Sequence, residues 1–134
     1  ERAFHSKNVQ SAFRIGEAFL ETVEGGVEYA VQLANVPPRD GTFTTGDEIA
    51  RYGDTVIARL ENWWQNLADK SCQQKINTFF GPQPIYMLYE RSTWHCAQHS
   101  RQLTAILERL GIEPDRRLTA NELAGLPLPE RLWE

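Results

Sequence analysis

The residues best able to do chemistry sit together in Trp94-His95-Cys96-Ala97-Gln98-His99. His95 and His99 are four apart, so on a helix they share one face about one turn apart. Two imidazoles at that spacing can chelate one divalent ion through their ring nitrogens. The stripe of the predicted helix runs Leu88, His95, His99, Ile106 and Leu110, with Gln102 and Leu103 straddling it. Both histidines are therefore expected to point into the protein rather than to water. The plainer alternative is a pair of hydrogen-bonded core histidines, since a bare HxxxH is a short motif with many chance matches.

A third ligand decides between these readings, and the only other histidine is His5. His5, Val9, Ala12, Phe19 and Val23 follow one helical stripe, which turns His5 toward the core near the start of its helix. The alternative is a frayed terminal histidine. Asp47, Glu48 and Asp54 are carboxylate candidates, but Asp47 and Glu48 serve a helix cap and Asp54 sits at the edge of its stripe. Cys96 follows His95 yet points about 100° away around a helix, and reads as a small buried apolar residue. Cys72 has no activating neighbour in the sequence. Trp63, Trp64 and Trp94 read first as packing residues and second as pocket walls. Glu90, Arg91 and Arg101 flank the histidines and read as surface ion-pairing groups.

Three long predicted helices carry these residues. The first covers residues 2–24 and stops at Gly25-Gly26. A less regular helical piece follows over 27–34, then a loop through Pro37, Pro38 and Gly41. The second helix opens on Thr45-Gly46-Asp47-Glu48, a capping box. Its apolar stripe is Ile49, Tyr52, Gly53, Val56, Leu60, Trp63 and Leu67, with Arg51, Arg59, Glu61 and Gln65 turned to solvent. Residues 69–84 read as irregular or weakly extended, ending in the Gly81-Pro82-Gln83-Pro84 turn. The third helix covers 85–110 and is stopped by Gly111, with Pro114 beyond. Thr119-Ala120-Asn121-Glu122 is a second capping box opening one short helix. Leu126-Pro127-Leu128-Pro129 cannot be interior helix; it is expected to strap the bundle from outside, anchored by Trp133.

Helices without a clear strand signal imply an all-α bundle. Three long helices make a thin one, so a fourth is expected from upstream, from 27–34, or from a second copy. The 134 residues fit one domain, 1–134, and the chain opens at Glu1 with Ala3-Phe4-His5 already helical, which points to a lost upstream segment. Hydrophobic residues at 41% and charged residues at 24% describe an ordinary globular balance. A net charge of -4 without a basic patch argues against nucleic acid or an anionic membrane surface as partner. No apolar run approaches the roughly 18 residues of a membrane span, and no signal peptide is visible. The two cysteines suit a reducing cytoplasm at least as well as a disulfide.

The run Glu90-Arg91-Ser92-Thr93-Trp94-His95-Cys96-Ala97-Gln98-His99-Ser100-Arg101-Gln102-Leu103 resembles the signature helix of the DinB-like (YfiT-like) metalloprotein superfamily. Phe13-Arg14-Ile15-Gly16-Glu17-Ala18-Phe19-Leu20 resembles that family's ligand-bearing helix. Ala50-Arg51-Tyr52-Gly53, Phe80-Gly81-Pro82-Gln83 and the tail 123–130 are similar as well, so the likeness covers most of the chain. It implies a four-helix bundle, often dimeric, holding a divalent ion, zinc or nickel, by three histidines. Two of these match His95 and His99. Characterised relatives are thiol-dependent S-transferases and isomerases, and a glutaredoxin-like fusion in relatives with this tail hints at glutathione. The family pattern is departed from at Ser11, where its first histidine usually lies, and at Tyr86, where a further histidine often follows the Gly-Pro-Gln turn. The resemblance leaves the third ligand to His5, then Asp54, or to water. It makes Tyr86 a candidate hydrogen-bond donor to a small-molecule substrate. The rival expectation is a non-enzymatic helical dimerisation or binding domain with a degenerate metal site.

Overall fold

Thr45 starts its helix as a capping box requires. Its hydroxyl accepts from the Glu48 amide at 3.3 Å, and the Glu48 carboxylate accepts from the Thr45 amide at 3.0 Å. Thr119 and Glu122 make the same reciprocal pair at 3.3 and 2.8 Å. Each box satisfies amides that a helix start otherwise leaves unpaired. In the computed structural model, which describes residues 6–26 and 45–133, the elements are α1 (Ser6–Gly25), α2 (Gly46–Asn66), β1 (Lys75–Thr78), β2 (Gly81–Pro84), α3 (Ile85–Arg109) and α4 (Ala120–Leu123). The described chain is mostly helical. The helical piece predicted over 27–34, its following loop and residues 1–5 lie outside the described residues.

Gly111 ends α3 in a left-handed conformation, φ 72°. The Ile112 amide donates to the Leu107 carbonyl at 2.9 Å and the Gly111 amide to Glu108 at 3.0 Å. This is a Schellman closure, and it explains why glycine stands there.

The segment read as irregular or weakly extended contains an antiparallel hairpin. Lys75 pairs with Pro84 and Thr78 with Gly81. Two prolines in a four-residue strand hide its character in the sequence, and an isolated two-stranded ribbon tolerates them because neither edge needs every amide. Phe79 and Phe80 form the turn. Thr78 ties it, its hydroxyl donating to the Gly81 carbonyl at 2.8 Å and accepting from the Phe80 amide at 3.1 Å. The residues leading into the hairpin also serve α3, which has no side-chain cap. The Ile85 and Tyr86 amides donate to the Gln74 and Cys72 carbonyls at 3.0 and 3.1 Å, so backbone does the capping.

Helix α1 lies between α2 and α3 and packs on both. Against α2 the approach is close: a Cβ at Gly53 would stand 2.7 Å from the Phe13 ring, and one at Gly16 3.0 Å from Val56. Towards the hairpin, Phe19, Leu20, Cys72 and Ile85 form the buried core, ringed by Val23, Leu60, Trp63, Leu67, Ile76 and Leu88. Phe19 meets Trp63 of α2 and Tyr89 of α3 edge-on, at centroid distances of 4.9 and 5.3 Å. One ring thus joins all three long helices, an arrangement that adds aromatic edge–face attraction to area burial.

The tail does lie along α3, though Trp133 is not what holds it, being 49% exposed. Its carbonyls are the grip. Gln98 Nε2 donates to Leu132 at 2.8 Å, Gln102 Nε2 to Leu132 at 2.9 Å, and Arg101 to Pro129 at 3.3 Å. A proline-broken segment has carbonyls without ladder partners, and side-chain amides supply the missing donors.

Candidate functional site: the histidine pair of α3

Helical spacing brings the His95 and His99 rings to 4.8 Å between centroids, tilted by 34°. Both are half-buried, flanking the buried arc of α3 rather than occupying its centre. That arc holds Ile85, Ala97, Gln98 and Ile106, while Leu110, expected on the inward stripe, is 58% exposed. The shift has a cause: α3 is covered by α1 and also by the tail, which buries Gln98.

The two imidazoles differ in their partners. His99 Nδ1 lies 2.9 Å from Gln102 Oε1. The amide group of Gln102 faces the Leu132 carbonyl, which can only accept, so its oxygen is the end turned to His99. His99 therefore donates from Nδ1, and neutral His99 keeps its lone pair on Nε2. His95 has no hydrogen-bond partner among the described residues; it rests against Trp94 at 5.6 Å. Burial, then the charges of His99 and Arg91, hold His95 below the ordinary histidine pKa of 6.5. A neutral imidazole is the form that can ligate a metal.

Other predicted participants are not gathered here. His5 lies outside the described residues, as does the side chain of Ser11. Asp54 is exposed on α2. Among the described residues no three His, Cys, Asp or Glu side chains are grouped to hold a metal ion. Tyr86 is 40% exposed in the first turn of α3. Nine residues before His95, it is roughly 13 Å away along the axis and about 180° around it. The helix thus does not bring that phenol to the histidines. Cys96 forms no disulfide, and burial pushes its thiol above the ordinary value, so it is not a thiolate at neutral pH. Cys72 likewise forms no disulfide and is buried in the core.

A second polar constellation, between α1 and α2, escaped sequence reading. Arg14 pairs with Glu17 at 2.6 Å and approaches Glu21 at 3.8 Å. Tyr52 donates to Glu17 at 2.5 Å. Arg59, expected to face solvent, reaches Glu17 at 3.6 Å and Glu24 at 3.3 Å. Glu21 is 6% exposed, and its Oε2 has no hydrogen-bond partner among the described residues. Burial, opposed by Arg14, raises its pKa above the usual carboxylate value. Burial and the bond to Glu17 likewise push the Tyr52 phenol up. The available signal was the spacing of Arg14, Glu17, Glu21 and Glu24, which share one helical face.

Among the described residues no helix is long and apolar enough to cross a membrane. Compared with protein-family models, curated proteins and solved structures, the chain finds no match in any of the three.

Proposed function

We propose that this chain is a DinB-like protein that binds a divalent metal, zinc or nickel, and works in low-molecular-weight thiol chemistry of the glutathione type, as an S-transferase or isomerase. The observation that carries the reading is the prepared pair: His99 held with Nε2 free, and a neutral His95 one turn away. The donor set fits such an ion in kind, since imidazole suits zinc and nickel. It fits in number only as far as two ligands, with His5 the candidate for the third. A bound ion would lower the pKa of a coordinated thiol and supply a thiolate at neutral pH. The chain's part is to hold His95 neutral and His99 oriented by Gln102. On this reading the protein acts as a homodimer in the cytoplasm, a reducing compartment that suits two cysteines without a disulfide.

The test is elemental mass spectrometry of the purified, tag-free protein beside His95→Ala and His99→Ala. About one metal per chain, lost in both variants, is the expected result. A chain that stays metal-free after reconstitution overturns the reading. A second reading, a non-enzymatic helical binding or dimerisation domain, is favoured by the absence of a third ligand among the described residues. It expects His95→Ala to cost about 0.5–3 kcal/mol of stability and nothing else.

A further inference from the structure

Beside the turn of the hairpin, Phe80 and Gln83 face Met87, Glu90, Arg91 and Trp94 of α3 across a groove of about 300 Å³. Arg91 is its central feature. The guanidinium carbon stands 4.3 Å from the Phe80 ring centroid and 5.5 Å from that of Trp94. Among the described residues Arg91 has no carboxylate within 4.0 Å, as is also true of Arg51, Arg101, Arg109 and Arg131; what sets it apart is the pair of rings against its guanidinium. Its neighbour Glu90 lines the same groove without pairing to it.

We infer that this groove binds a small organic monocarboxylate, with the charge on Arg91 and the apolar body against Phe80, Met87 and Trp94. Two rings already restrict the guanidinium, so little side-chain freedom is left to lose on binding. The guanidinium carbon lies over both ring faces, and a guanidinium's N–H groups suit the two oxygens of a carboxylate. Phe80 and Met87 are 52% and 43% exposed, giving the ligand apolar surface to cover. The volume lies at the small end of ligand pockets, which selects a small molecule over a folded partner. Glu90 adds a negative charge to the wall, which disfavours dianions such as phosphate. The groove does not depend on the histidine pair, although Arg91 precedes His95 by four residues and so anchors the carboxylate about one turn from it.

The experiment is calorimetric titration of the full chain with benzoate, benzamide and inorganic phosphate, with chelator present, in the parent and in a His95→Ala background. Chelator and that background make the outcome independent of any metal. Saturable millimolar binding of benzoate is expected, about tenfold weaker for benzamide and for phosphate. Arg91→Gln should weaken benzoate about tenfold, Arg91→Lys less, and Glu90→Gln should tighten it. Perturbation of the Trp94 indole N–H signal in heteronuclear NMR should track the titration. An Arg91→Gln protein that melts like the parent and binds benzoate equally well overturns the proposal. So does phosphate binding as tightly as benzoate, or no saturable benzoate binding.

Discussion

His99 and Gln102 are joined by a 2.9 Å hydrogen bond whose direction is set from the far side of the glutamine. The Leu132 carbonyl accepts from the Gln102 amide at 2.9 Å and from Gln98 at 2.8 Å. The tail of the chain thereby chooses which nitrogen of His99 carries its proton.

Gln102→Leu should disturb a metal site without touching either ligand. Partners that orient a ligating histidine are worth about 10–100-fold in metal affinity, so a loss in that range is expected in chelator competition. Unchanged affinity with an unchanged melting curve would show that the tautomer is not controlled by Gln102.

Glu21 makes the stability of the fold depend on pH. Its folded pKa lies above its ordinary value of 4.5, so the folded state binds more protons than the unfolded state in that window. Its contribution is complete below pH 4.5 and is lost as pH rises through the folded pKa. Glu21→Gln should therefore gain stability relative to the parent as pH rises from 4 to 8, read by urea denaturation at each pH. A constant difference across that range would sink the idea.

Gly53→Ala should destabilise by about 1–3 kcal/mol, the usual cost of overpacking. The new methyl would meet Phe13 ring atoms at 2.7 Å, and that ring is set edge-on to Tyr52 at 6.1 Å. Pairing it with Phe13→Leu should recover part of the loss in thermal melts. Simple addition of the two costs would place the clash elsewhere.

Tyr86→Phe should leave metal content unchanged, because Tyr86 sits on the opposite side of α3 from His95. Thiol-transfer activity, where found, should also persist. A large loss of activity at constant metal content would restore Tyr86 as a substrate-binding group.

The helix starts at Thr45 and Thr119, the stop at Gly111 and the pairing of His95 with His99 were all legible in the sequence. Each is decided within a turn or two of chain, by caps, a positive φ and the 3.6-residue period. What tertiary structure alone decided lies across longer spans. The hairpin was hidden because prolines blur a strand pattern that only its partner strand completes. Gln98 and Glu21 look like surface residues until neighbours cover them; for Gln98 the partner is Leu132, 34 residues away. Tyr52 and Glu17 meet across 35 residues. Arg91 acquires its cradle only because the hairpin turn brings Phe80 over α3. A polar side chain's type states what it can bond, but burial, and hence the strength and pKa of that bond, depends on which distant groups exclude water around it.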